Sequence, residues 1–148
     1  AQAEAIAARI KGASFKIMDL TTTDKRTPPP ALYDLTELQR EANKRYGFSP
    51  KETLSIMQRL YEQHKILTYP RTDSRYLTDD IVPTLRERLL SCAVGEYELI
   101  ARGIIREQKT IAKSCINKAK GSDHHATSPT EQPVRQLDLN GPETQIYF

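Results

Sequence analysis

A phenol and a guanidinium two positions apart are the residues of this sequence best suited to chemistry on a phosphate. Tyr69 and Arg71 lie in the run Thr68-Tyr69-Pro70-Arg71-Thr72-Asp73-Ser74. Along an extended segment residues i and i+2 point to the same side, so both groups can face one phosphate. A phenol is a poor nucleophile at neutral pH because its ordinary pKa is about 10. A neighbouring cation favours the phenolate and neutralises charge on a pentavalent phosphorus. The same pair also fits a plain structural role, with a buried ring carrying a wet hydroxyl beside a surface arginine. Taken alone, the pair does not choose between the two. A second cluster, Asp123-His124-His125-Ala126, precedes Pro129-Thr130-Glu131. Its adjacent histidines lack further ligands at zinc spacing, so no metal centre is read there.

The elements that must position Tyr69 are legible around it. Asp34-Leu35-Thr36-Glu37 has the form of a capping box, and Leu35, Leu38, Ala42 and Tyr46 follow at spacings of three and four, which predicts a helix ended by Gly47. Ser49-Pro50-Lys51-Glu52 starts a second helix, with proline where its missing N–H costs nothing, and directs Leu54, Met57, Leu60 and Tyr61 to a core. Two short helices joined through Gly47-Phe48-Ser49 form a helix-turn-helix-like unit. The apolar, β-favouring run Ile66-Leu67-Thr68-Tyr69 then reads as a short strand that Pro70 closes.

On the N-terminal side, Ile6 and Ile10 suggest the end of an amphipathic helix that Gly12 stops. Residues 15–20 have the composition of a strand. Thr27-Pro28-Pro29-Pro30 is a stiff connector and a domain boundary. On the C-terminal side, Ile81, Leu85 and Leu89 predict a helix with Pro83 in its first turn. Beyond Gly95, Leu99, Ile100, Ile104 and Ile105 supply the apolar face of another. Residues 117–122 read as an exposed loop. Asp79 and Asp80 are read as helix-cap residues rather than metal ligands.

Composition bounds the possibilities. The chain of 148 residues is long enough for one domain with a core, and it opens without methionine and stops inside an apolar run, so both ends read as cut from something larger. Charged residues make up 28% of it but the net charge is only +3, so a nucleic-acid surface must come from local clustering. Cys92 and Cys115 show neither metal-ligand nor disulfide spacing and read as buried thiols of a reducing compartment. No apolar run reaches the length of a membrane span, and no signal-peptide pattern is read in these residues.

Thr68-Tyr69-Pro70-Arg71-Thr72-Asp73-Ser74 resembles the active-site signature of type IA DNA topoisomerases. The histidine run is similar to a second signature, generally Asp-His-His-Ala-Ile-Ile-Pro-Thr in the topoisomerase III branch. Here it departs at Thr127 and Ser128, where the family prefers apolar residues, which bears on how tightly this loop packs. The run Tyr33-Asp34-Leu35-Thr36-Glu37-Leu38-Gln39, then Gly47-Phe48-Ser49 and the helix ending Gln58-Arg59-Leu60-Tyr61-Glu62, resembles the same branch. The similarity covers residues 30–135 in order.

The resemblance implies a mainly α fold with short strands (α+β): a winged-helix-like unit at residues 30–135, inserted in a strand arch. Residues 1–29 would then end an arch segment, and 136–148 would begin the next, truncated one. It maps the nucleophile to Tyr69, a phosphate-stabilising arginine to Arg71 and a further catalytic residue to His124. Asp73 is a candidate to orient Arg71 or His124. Candidate DNA contacts are Asp73, Ser74, Arg75 and His125, with Lys51 and Arg59 on the outer side of the second helix. The implied reaction is cleavage and religation of single-stranded DNA through a 5′-phosphotyrosyl ester. The implied cofactor is Mg2+, held by an acidic domain that this chain does not contain, so the chain alone is expected to be inactive. Its partners would be single-stranded DNA and the rest of the parent chain, in a cytoplasmic, bacterial nucleoid-associated setting. The reading set against this one is a non-catalytic winged-helix module that binds duplex DNA through Lys51 to Gln63.

Overall fold

Helices α2 and α3, spanning Leu35–Tyr46 and Pro50–Glu62, form the frame on which the rest is laid. The Asp34 side chain accepts the Glu37 N–H at 2.7 Å to start α2, and Gly47, at φ 76°, ends it in the left-handed region where a side chain would be strained. Two residues later Ser49 and Glu52 cap each other's amides in a full capping box and α3 begins with Pro50 at its first turn. The computed structural model describes residues 2–117 and 124–148. The remaining helices are α1 (Gln2–Ile10), α4 (Leu85–Ser91), α5 (Tyr97–Arg106) and α6 (Gly141–Tyr147), with single 3-10 turns at Val82–Thr84, Lys113–Cys115 and Val134–Gln136.

The protein is therefore mainly α. Among the described residues β structure is confined to isolated bridges: Tyr33 with Thr127, Leu67 with Pro129, and Leu77 with Ile116. The strand expected at Ile66–Tyr69 is reduced to one such bridge. The strand expected at residues 15–20 is not formed. Phe15, Ile17, Met18 and Leu20 are all exposed, and an extended segment without a neighbour has no ladder to satisfy its amides.

Two clusters make the core. Thr53, Ile56, Met57 and Leu60 recur at spacings of three, one and three, so one stripe of α3 is buried and packs with Ile66, Leu67 and Val134. Leu35 and Leu38 of α2 and Leu137, Leu139 and Ile146 near the C-terminus cover this cluster. Met57 and Leu60 go inward as their spacing predicts, while Leu54 and Tyr61 are only half-buried and Ile56 takes the central place. The second cluster joins Leu77, Ile81 and Ala126, with Leu32, Leu85 and Ile111 around it.

α5 departs from the expected apolar face. Ala101 is buried and Ile104 and Ile105 half-buried, but Leu99 is 80% exposed and Ile100 59%. Ala101, Ile104 and Ile105 form the inward stripe; on a helical period Leu99 lies opposite it, while Ile100, one turn before Ile104, lies at its exposed edge. At the C-terminus Asn140 and Glu143 make a further capping box that starts α6, and the Glu143 carboxylate accepts from Arg59 Nε of α3 at 2.9 Å. No helix is long and apolar enough to cross a membrane.

Candidate active site

Tyr69 is reached by a short path out of α3. The helix ends at Glu62, and Lys65 turns the chain through a left-handed backbone conformation, φ 60°. The Ile66 N–H returns to the Leu60 carbonyl at 3.1 Å, and Ile66 is fully buried. This anchors the segment three residues before the phenol. Pro70 is buried on its far side, so Tyr69, itself half-buried, is held from both ends.

The histidine loop lies antiparallel to that segment. Thr68 N–H donates to the Ser128 carbonyl and Ser128 N–H to Thr68 Oγ1, each at 3.0 Å. Thr130 N–H donates to the Ile66 carbonyl at 2.9 Å and its hydroxyl to the Lys65 carbonyl at 2.6 Å. From the other side α4 clamps the loop. Arg88 Nη1 donates to the Pro129 carbonyl at 3.0 Å, Arg88 Nε pairs with Glu131 at 3.0 Å, and Ser91 Oγ donates to the Thr130 carbonyl at 2.6 Å. Thr127 and Ser128, the two positions that depart from the family pattern, both lie within these contacts. Thr127 is buried, with its N–H on the Tyr33 carbonyl at 2.9 Å, and among the described residues its hydroxyl has no hydrogen-bond partner.

The outcome is an aromatic setting for the phenol. The Tyr69 ring meets Tyr61 edge-on at 5.7 Å between centroids (interplanar angle 79°) and His124 at 4.5 Å (36°). Lys65, Thr68 and Thr130 complete an open cleft around these rings. Edge-to-face and tilted aromatic contacts hold a ring's orientation while adding modestly to stability. A half-exposed phenol in an open cleft beside an imidazole can meet a phosphodiester strand from solution, and the imidazole can carry a proton or bond a phosphate oxygen.

The sequence candidates do not all reach this cleft. Tyr69 and His124 are brought together, whereas Arg71 is exposed and does not line the cleft in this conformation. Asp73 and Lys51 are exposed. Arg75 donates through Nε to the Leu32 carbonyl at 3.2 Å, and His125 Nδ1 lies 2.7 Å from the Ala126 carbonyl. Ser74 is not on the surface: it is 4% exposed, and its hydroxyl donates to the Tyr76 carbonyl inside a turn. Arg59 is engaged by Glu143 as above, with its side chain about one-third exposed. Asp123 lies outside the described residues. Tyr61, Lys65 and Thr130 were not singled out from sequence. Tyr61 carried a signal, a phenol in the last turn of the helix that leads to Tyr69, and so did Thr130, which closes the second signature; Lys65 carried none.

Among the described residues no three His, Cys, Asp or Glu side chains converge as a metal site.

Comparison with known proteins settles the lineage. A family model described as DNA topoisomerase matches residues 1–148. The chain belongs to the DNA topoisomerase family. It is 51% identical over 142 residues to DNA topoisomerase 3 of Bacillus licheniformis, a match that covers 96% of this chain and 20% of the relative. It is 53% identical over 131 residues to DNA topoisomerase 3 of Bacillus cereus, covering 88% and 18%. The enzyme of the same name from Shouchella clausii is 48% identical over 147 residues, covering 99% and 20%. This topoisomerase-family chain thus spans about one fifth of the length of the relatives it matches. The resemblance to the topoisomerase III branch of the type IA enzymes, drawn from three short motifs, extends to nearly the whole chain.

Proposed function

We propose that this chain supplies the nucleophile of a type IA topoisomerase that cleaves and reseals single-stranded DNA. In the forward step the Tyr69 phenolic oxygen attacks the phosphorus of a phosphodiester, a new P–O bond forms and the bond to the 3′ oxygen breaks. The phenol gives up its proton and the departing 3′ oxygen takes one, leaving a 5′-phosphotyrosyl ester. Religation is the same exchange reversed, so the bond count is conserved and no external energy is needed. Arg71 balances charge on the phosphorane when the strand is seated. His124, in ring contact with Tyr69, either carries the proton or holds a phosphate oxygen. Asp73 orients Arg71, while Arg75, His125 and Lys51 contact the strand on either side. Ser74 and Arg59 have internal partners and serve the fold.

The observation that carries this reading is the placement of Tyr69, half-exposed in an open cleft between Tyr61 and His124. The order α2, turn, α3, extended segment supports a winged-helix-like unit over residues 30–135, within an arch to which residues 1–29 and 136–148 belong. Mg2+ would be bound in the parent enzyme by residues outside this chain, and the parent would act in the cytoplasm on nucleoid DNA. The test is to trap a covalent adduct of the parent enzyme with a labelled single-stranded oligonucleotide under denaturing conditions, with Tyr69→Phe alongside. An adduct in the parent and none in the variant is the expected result. Preference for duplex over single strands, with no adduct, would leave a non-catalytic DNA-binding module instead.

A further inference from the structure

Lys65 occupies a position that its side chain does not favour. Its φ of 60° lies in the left-handed region, where glycine or asparagine is the usual residue and a longer side chain is strained. The conformation is held from outside by the Thr130 hydroxyl, which donates to the Lys65 carbonyl at 2.6 Å. Strained backbone sustained by its surroundings is concentrated at functional sites. The consequence here is positional. Lys65 lines the cleft with Tyr69 and His124, and among the described residues it is the only lysine or arginine that does so. Among those residues no carboxylate lies within 4.0 Å of its ammonium, which instead sits 5.7 Å from the centre of the Tyr61 ring. Tyr61 in turn meets Tyr69 edge-on. No Asp or Glu side chain lines the cleft among the described residues, so the local field favours an anion.

We infer that Lys65 is a phosphate-binding residue of this site. Its ammonium leaves the weak contact over Tyr61 to bond a non-bridging oxygen of a DNA phosphodiester entering the cleft beside Tyr69. The inference rests on the reading of this cleft as the strand-cleaving site. It assigns the cleft a cation carried by the turn after α3, separate from Arg71. The exposed four-carbon stem lets the ammonium follow the phosphate as the strand enters.

The backbone supplies a clean test. Glycine is at ease at this φ, so Lys65→Gly removes the ammonium without a folding penalty from the turn. In the parent enzyme, Lys65→Gly is compared with Lys65→Arg and Tyr69→Phe for thermal midpoint, for single-stranded oligonucleotide affinity across a salt series, and for covalent adduct yield. Lys65→Gly is expected to keep or raise the midpoint and to weaken binding about 3- to 10-fold at low salt, with a salt slope shallower by about 0.7, as the loss of one phosphate contact to a single strand requires. Lys65→Arg is expected to retain affinity and slope. Unchanged affinity and slope in Lys65→Gly would overturn the inference, and so would a lowered midpoint, which would make the role structural. An adduct that persists in Tyr69→Phe would instead overturn the nucleophile assignment, whatever the Lys65 variants show.

Discussion

The ring of His124 lies 4.5 Å from that of Tyr69, centroid to centroid and tilted by 36°, although 55 positions separate them in the chain. The contact exists because the loop after His125 is hydrogen-bonded, residue by residue, to the segment that ends at Tyr69. An imidazole in that place walls the phenol, and on the proposed reading it would also reach the phosphate that the phenol attacks. His124→Ala in the parent enzyme should lower the rate of adduct formation on a single-stranded oligonucleotide by about 10²-fold, the lower end for loss of a positioned acid–base group. Tyr69→Phe should abolish it with the thermal midpoint unchanged. A His124→Ala rate equal to the parent's would remove the residue from the mechanism.

Arg71 stands outside the cleft in this conformation and is exposed. If it meets the phosphate only as the strand is seated, its contribution falls on the rate and little on strand affinity. Arg71→Ala should slow adduct formation by about 10²–10³. Arg71→Lys should recover part of that, since an ammonium keeps the charge and loses the two-pronged geometry. Single-turnover trapping, with affinity measured separately, distinguishes this from a binding defect.

Arg88 should matter to the site without touching it. Its guanidinium pairs with Glu131 and donates to the Pro129 carbonyl and the Thr84 hydroxyl, with its side chain only 11% exposed. Arg88→Ala leaves those acceptors to water and cuts the histidine loop loose from α4. The expected cost is about 2–3 kcal/mol by urea unfolding, from one mostly buried charged donor removed. Faster proteolysis within residues 124–131 should accompany it. A stability loss without local exposure would point to a different role for the clamp.

The Arg59–Glu143 pair ties α6 to α3 and makes stability depend on acid pH. Burial pushes the Glu143 carboxyl up, but the Arg59 hydrogen bond, the Asn140 amide and the charges of His64 and Arg59 together hold it below the usual glutamate range. A depressed folded-state pKa contributes stability above the ordinary value of about 4.3 and loses it as pH falls through the lower, folded value. Glu143→Ala also removes half of the capping box, and with Arg59 one-third exposed the combined cost at pH 7 should be about 1–2 kcal/mol. The difference between parent and variant should shrink as pH is lowered below 4, as read from urea midpoints. A constant difference would mean that the carboxylate's charge is not what holds α6.

Local signals were legible wherever one short stretch contains its own physics. The cap at Asp34, the box at Ser49 and Glu52, the left-handed glycine at 47 and the helical stripe through Met57 and Leu60 all lie within a turn or two of the groups they satisfy. The nucleophile candidate and the family resemblance were carried by seven- to eight-residue motifs, for the same reason. What joined Tyr69 to His124, brought Lys65 to the cleft, enclosed Ser74 and set Arg59 on Glu143 depended on contacts between segments distant in sequence. Such contacts are chosen by burial of the whole core and by pairing of backbone groups across segments. The missing strand at residues 15–20 shows the same limit from the other side. Its composition favours an extended chain, but only a neighbour with free amides and carbonyls turns an extended chain into a sheet.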